Sequence, residues 1–311
     1  MRVTSMKVFY CDTFVFPVPV AHRFPLAKFR LLRERIEQVE WQPALRLAIA
    51  PAVDERALVR AHDPDYVRRL MRGQMTEAEM RRIGFPWSAA LVERALRSIG
   101  ATLAACRAAL SDGLSASLAG GTHHAGPDWG EGYCLFNDSI VSLRTLQAEG
   151  RLSRALILDC DVHQGNGTAA IAADDASLFT FSIHGARNFP LRKFPSDLDV
   201  ELPDGADDDL YLSRLRQGVT EALEQAQADL AIYIAGADPF VGDRLGRLAV
   251  SKAGLAERAR WVLNACRARG LPVAITMAGG YAHPLTDTVE IQFSTIRTAW
   301  QMAHGVREAS G

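Results

Sequence analysis

Asp161 and His163 stand two residues apart, directly after the apolar run Ala155-Leu156-Ile157-Leu158. Alternate side chains of an extended backbone share a face, so a carboxylate and an imidazole spaced this way can hold two corners of a tetrahedral metal site. Catalytic zinc ordinarily takes three protein ligands and leaves one position open. Asp238 follows another apolar run, Leu230 to Ile234, and is the natural third ligand. A single Asp at a strand end is more often a helix cap. The weight lies in three segments converging.

His123-His124 brings a second chemistry. The doublet sits in the glycine-rich stretch Gly120-Gly121-Thr122-His123-His124-Ala125, where both rings can reach one cavity. A lone buried His is usually a core residue, but imidazole is also the usual acid/base group near neutral pH. Asp159 can accept the far N–H of one imidazole and raise its basicity, and Asn166 can serve the other without adding charge. Gly279-Gly280-Tyr281 reads alone as a turn and a packed aromatic. Beside a metal, the Tyr281 hydroxyl can donate to a developing oxyanion.

These groups need a scaffold, and the sequence supplies one. Lys7–Cys11, Ala155–Leu158, Leu178–Phe181, Leu230–Ile234 and Val273–Met277 are short, nearly continuous apolar runs, as expected of central parallel strands buried on both faces. Amphipathic helical stretches lie between them, including Ala89 to Leu110 and Asp209 to Ala228. Strand alternating with helix predicts an α/β fold with a parallel sheet. Polar residues and glycines gather just after the run around Ala116–Ala119 and after three of the other runs, where open parallel sheets build their ligand crevice. With no repeat or linker in view, residues 1–311 read as one domain.

Five segments carry a family resemblance: GGTHHA from Gly120, GYCLFND from Gly132, LDCDVHQGNGT from Leu158, AGADP from Ala235 and AGGY from Ala278. In this order and spacing they resemble the histone deacetylase superfamily, over about His22 to Tyr281. Three further segments are most similar to class IV deacetylases and their bacterial relatives. They are His22-Arg23-Phe24-Pro25-Leu26 with Lys28-Phe29, Ile83-Gly84-Phe85-Pro86-Trp87, and Gly242-Asp243-Arg244-Leu245-Gly246.

The resemblance implies the arginase/deacetylase fold, three layers with an eight-stranded parallel sheet between helices. It implies one catalytic zinc on Asp161, His163 and Asp238, with His123 and His124 bonded to the attacking water, Asp159 behind His123 and Asn166 near His124. Tyr281 matches the tyrosine that polarises the substrate carbonyl. Tyr133, with Gly132 before it, and Phe189 match the walls of an acyl-lysine tunnel, with Leu245 at its rim. Asp159, Asp161, His163, Ser182 and Ile183 match a structural potassium site. Where many class I relatives have Asp, this chain has Asn166. The acidic residue that grips the substrate backbone in class I has no clear match in Met75 to Arg82, which includes Glu77 and Glu79.

The implied reaction is hydrolysis of an acyl group from the amine of an acyl-lysine, in a protein or peptide. An acetylpolyamine amidohydrolase, acting on an acylated small amine, is the alternative and would be expected to show acidic residues around its entrance. An arginase-like ureohydrolase would need carboxylates for a second metal where Gly165, Gly236 and Phe240 stand. An inactive binding module is disfavoured because every metal, acid/base and tyrosine position is filled.

Lys and Arg total 35 against 36 Asp and Glu, a formal charge of −1, which gives no electrostatic footprint for nucleic acid. No apolar stretch reaches bilayer-spanning length, and the first seven residues lack a signal-peptide core. Five scattered cysteines without a CxxC pair suit a reducing cytoplasm. Finally, the apolar, proline-stiffened segment Phe14 to Val20 is expected to wall an apolar pocket beyond the zinc. In that case activity rises with chain length from acetyl toward decanoyl or myristoyl, in keeping with the class IV resemblance.

Overall fold

The computed structural model describes residues 5–19 and 22–305. Eight strands form one sheet: β1 (Met6–Tyr10), β2 (Leu45–Ile49), β3 (Leu114–Ser117), β4 (Ala155–Asp159), β5 (Leu178–Gly185), β6 (Leu198–Leu202), β7 (Leu230–Ile234) and β8 (Val273–Thr276). Every pairing is parallel, in the order β2-β1-β3-β8-β7-β4-β5-β6.

Both faces are covered, and the alternation of side chains shows it. Leu156 and Leu158 of β4, with Ala231 and Tyr233 of β7, enter one core. Ala155 and Ile157 of β4, with Leu230, Ile232 and Ile234 of β7, enter the other. Helices Ala27–Glu37, Asp208–Ala226, Lys252–Ala268 and Leu285–His304 form one outer layer, while Ala89–Asp112 and Asp138–Ala148 pack together in the opposite one. Three layers result, as expected.

Helix ends follow local chemistry. Ser88 Oγ accepts the Leu91 N–H at 3.1 Å to open the long helix, and Gly113 closes it at φ +85°. Asn137 Oδ1 accepts the Ile140 N–H at 3.0 Å, while its Nδ2 donates to Ala125 O at 3.2 Å. One cap therefore also anchors the segment that carries the two histidines.

The central strands match their apolar runs, and the edges do not. β2 and β6 are half-exposed and interrupted by Arg46, Asp199 and Glu201, so neither presents the continuous run of a doubly covered strand. β1 is buried at Met6 and Val8 only, a correction to its expected burial on both faces. β3 ends at Ser117, one to two residues before the apolar stretch does. Of the Phe14 to Val20 segment, Val20 lies outside the described residues. No described helix is long and apolar enough to cross a membrane, and all five cysteines are buried and unpaired.

Candidate active site

Strand order assembles the site. β3, β8, β7 and β4 are consecutive neighbours, so the segments that follow them lie side by side over the middle of the sheet. They carry His123-His124, Gly279 to Tyr281, Asp238, and Asp161 with His163. The location is the crevice beyond strand C-termini where parallel sheets bind ligands.

Asp161, His163 and Asp238 are buried, and one ligand atom from each lies within 4.8 Å of the others. His163 Nδ1 is 2.9 Å from Asp161 Oδ1 and 3.2 Å from Asp238 Oδ2. Asp238 Oδ1 accepts the Val162 N–H at 2.9 Å, whereas its buried Oδ2 has only His163 Nδ1 near it, and that nitrogen lies closer to Asp161. Burial and the Asp161 carboxylate push Asp238 up to about 7. Burial opposes charge on His163 as well, yet its bonds to Asp161 and Asp238 raise it to about 10. Two buried carboxylates thus converge on one point where positive charge is stabilised, and the donor set of two carboxylate oxygens and an imidazole suits zinc. It is the only such cluster of three or more His, Cys, Asp or Glu among the described residues.

The closeness of the loops is enforced by Gly279. A Cβ there would stand 1.8 Å from Asp238 Oδ2 and 2.6 Å from Asp161 Oδ2. Its N–H instead donates to Asp161 Oδ2 at 2.8 Å.

His123 Nδ1 meets Asp159 Oδ2 at 2.5 Å, and His124 Nδ1 meets Asn166 Oδ1 at 2.7 Å. The two imidazoles therefore have unlike partners. Burial works against charge on His123, but Asp159 overcomes it and holds the ring near 9. Burial, His123 and His163 together press His124 well below the usual range. Asn166 has a further contact that the sequence did not reveal. Its Nδ2 donates to Glu131 Oε1 at 2.5 Å, and Glu131 is in turn paired with Arg82 at 2.8 Å. A carboxylate only accepts, so Glu131 fixes which way the Asn166 amide points. The amide oxygen must then face His124, whose Nδ1 carries the hydrogen and whose Nε2 is left with a lone pair.

Asp138 and Lys28 were also missed as supports. Asp138 is buried and accepts from the Gly121 N–H (3.0 Å), the Thr122 N–H and hydroxyl (both 2.7 Å) and the Thr102 hydroxyl (2.6 Å). Lys28, buried, donates to Ala278 O at 2.9 Å and lies 5.2 Å from the Tyr281 ring centroid. Ala278 (φ 48°) and Tyr133 (φ 69°) are left-handed non-glycine residues, a strain that surrounding contacts must hold in place.

Tyr281 faces the same space. Its N–H donates to Asp243 Oδ2 at 2.5 Å and its carbonyl accepts from Arg244 Nε at 3.2 Å, while no described residue hydrogen-bonds its hydroxyl. The Phe189 ring packs edge-on to His124 at 4.9 Å, and Tyr133 lies 6.2 Å from Tyr281. Gly132, at φ +56°, leaves room that a Cβ would take, 2.5 Å from His124 Cδ2. These residues line a mouth that also includes Leu245, Leu191, Arg81, Arg82, Arg187 and Arg247. Glu79 is occupied by its capping box and Arg69, and Glu77 pairs with Arg81. Ser182 lies opposite Asp159 in the β4–β5 register, with Ile183 next, but its hydroxyl is engaged with His184 Nδ1 at 2.9 Å.

Beyond His123, His124 and Tyr281 an inner cavity of about 110 Å³ opens, walled by Phe16, Phe24, Phe29, Phe85, Leu91 and Ile99 among others. One water needs only roughly 10–15 Å³ on the same measure. Among the described residues of the Phe14 to Val20 segment, only Phe16 lines it. Phe14 lies beneath Arg97 and Val15 is exposed.

An eight-stranded parallel sheet with these loops over its central strands is the arginase/deacetylase architecture. The chain belongs to the histone deacetylase family of hydrolases, whose domain profile matches residues 22–295. A protein of Picosynechococcus sp., described only as uncharacterized, is 47% identical over 287 residues, covering 92% of this chain and 95% of that protein. The histone deacetylase-like amidohydrolase of Pseudomonas aeruginosa is 27% identical over 284 residues, 86% of this chain and 74% of its own. The crystal structure of an HDAC homolog from Aquifex aeolicus superposes with a TM-score of 0.81 at 20% identity, covering 97% of this chain and 85% of that one. That last likeness speaks to the fold.

Proposed function

We propose that this protein is a zinc-dependent deacylase that hydrolyses the amide of an acyl-lysine in a peptide or protein. The observation that carries the reading is the convergence of Asp161, His163 and Asp238 with two differently partnered histidines and Tyr281, between an aromatic mouth and an inner cavity. Held by the three ligands, zinc would act as a Lewis acid toward the acyl carbonyl and lower the pKa of a water from about 15.7 to roughly 7. His124, neutral and with Nε2 free, takes the proton from the attacking water. His123, kept as an imidazolium by Asp159, delivers a proton to the leaving amine. Tyr281 donates its hydroxyl hydrogen to the carbonyl oxygen as negative charge develops there. Phe189 and Tyr133 flank the lysine methylenes and exclude water. A potassium ion beside Asp159, Ser182 and Ile183 would stiffen the strand ends, and buried free thiols suit a reducing cytoplasm.

The charges at the mouth support a peptide over an acetylpolyamine. It presents Arg81, Arg82, Arg187 and Arg247, paired with Glu77, Glu131 and, for the last two, Asp204. A polycation would find no unpaired carboxylate among these groups. Comparing an acetyl-lysine peptide with acetylspermidine tests the choice, with the peptide expected to have the higher kcat/KM.

Glu131→Leu removes the acceptor that orients Asn166. Its kcat is expected to fall roughly 10–100-fold, the scale for losing such a supporting partner, with zinc content retained. Glu131→Gln, which can still present an oxygen, should recover most of the loss. An unchanged kcat in the Leu variant would remove Glu131 from the mechanism.

The inner cavity has room beyond an acetyl methyl. Each methylene buried there contributes about 0.8 kcal/mol, so kcat/KM is expected to rise from acetyl as the acyl chain lengthens. Ala95→Phe, which fills the cavity, should lower activity on the longer acyl groups and spare acetyl. A steady fall beyond acetyl in the native enzyme would mean that the usable tunnel ends at the metal.

A further inference from the structure

The wall of the inner cavity carries a charge that the mechanism does not use. Leu91, Arg94, Ala95, Ser98 and Ile99 of helix Ala89–Asp112 form one helical face against it. Arg94 is 94% buried, the complement of its 6% relative exposure. A guanidinium does not lose its proton and has five donors to satisfy. Arg94 makes one long hydrogen bond, Nη1 to Phe14 O at 3.4 Å, lies over the Phe29 ring at 4.7 Å and sits beside the neutral, buried Cys11 thiol, none of which carries a matching charge. No carboxylate of the described residues pairs with it. Asp12, on the chain segment just before Phe14, gives both oxygens to Arg33 Nε at 3.0 Å. A buried charge is stable only when matched, and here the matching space is the cavity itself.

That cavity is continuous with His123, His124, Asp161, His163 and Tyr281. Whatever fills it is attached to the reacting carbonyl or has just been released from it. We propose that the cavity is a subsite for acyl groups that end in a carboxylate, with Arg94 as the residue that recognises the far end. This rests on the deacylase reading above and narrows its substrate to amides of dicarboxylic acids, of the succinyl and glutaryl type. Water cleaves the amide C–N bond as for any acyl group, releasing the dicarboxylic acid and the amine without a further reactant. The guanidinium fork suits a carboxylate in bidentate fashion. The apolar walls suit the methylenes between the two ends. Arg94 and Lys28 both lie over the Phe29 ring, at 4.7 and 5.3 Å, but Lys28 is the one that also lies against Tyr281, at 5.2 Å, so of the two cations Lys28 stands beside the reacting end, where a released product would carry its new carboxylate.

The test uses the zinc-loaded protein and one lysine peptide bearing succinyl, glutaryl, butyryl or pentanoyl. The acidic acyl groups are expected to exceed the neutral chains of equal length in kcat/KM. Arg94→Met should lower the acidic pair at least about tenfold and leave the neutral pair unchanged or faster. Equal rates for acidic and neutral groups in the native enzyme would overturn the proposal, as would an equal loss on both in the variant. Calorimetric binding of glutarate, pentanoate and acetate reads the subsite without turnover. Glutarate should bind more tightly than pentanoate, and only to protein with Arg94 intact. An Arg94 dependence shared by acetate would instead assign the arginine to the released product and overturn the acyl-end assignment. Arg94-dependent glutarate binding without hydrolysis of any peptide would count against the deacylase reading and leave the carboxylate subsite standing.

Discussion

Tyr281→Phe is expected to keep fold and zinc while kcat falls at least about a hundredfold, the usual scale for one lost oxyanion donor. The contacts that hold this residue survive the change. Its N–H stays on Asp243, its carbonyl on Arg244, and the ring on Tyr133 and above Lys28. Only the hydroxyl is lost, and no described residue hydrogen-bonds to it. Burial, then the carboxylates of Asp238 and Asp161, raise the phenol well above its usual range, so it keeps its hydrogen and acts as a donor. KM should move little, because the oxygen it serves gains most of its charge after binding. Steady-state kinetics beside a zinc determination checks this. A variant with near-native kcat would reduce Tyr281 to a packing residue.

Replacing Asp238 is expected to abolish both metal and turnover. In Asp238→Ala a two-ligand site remains, short of the three that catalytic zinc ordinarily takes, and the Val162 N–H loses its acceptor. Asp238→Asn separates chemistry from folding, since an amide oxygen can still accept from Val162. The Asn variant removes the repulsion between two buried carboxylates, so without metal it should unfold no more easily than the metal-free native protein. With zinc added, the native protein should gain thermal stability through binding to the folded state, and the variant should gain little. Stoichiometric zinc in active Asp238→Asn would show that the ion is held elsewhere.

Much of this was legible in the sequence because the responsible residues sit where strands end. β4, β7 and β8 are apolar on both faces, so their runs stand out, and the polar residues beyond them are conspicuous. Asp161, His163, Asp238 and Tyr281 lie in such segments, while His123-His124 follow β3, a short run broken by Ser115 and Ser117, and stand out by their glycine-rich setting. Edge strands such as β6, half-buried and interrupted by Asp199 and Glu201, look like loops. The supporting residues were illegible for a different reason. Glu131 reads as an ordinary surface charge, Asp138 as an acid in a helix's first turn, and Arg94 as part of a polar helix face. Each acquires its role from a partner remote in sequence: Asn166, the Gly121-Thr122 backbone, and the cavity. The Asn166 position shows the gap clearly. Its missing charge relative to many class I relatives is met by a carboxylate one bond further out, which only the fold brings into contact.

The most direct measurement is amine release from an acyl-lysine peptide by the purified protein, before chelation, after chelation, and during stepwise return of zinc, with metal content followed in parallel. A single metal held by Asp161, His163 and Asp238 predicts loss of activity on chelation and full recovery at about one zinc per chain. Activity that survives metal removal, or recovery only at two manganese ions per chain, would contradict it.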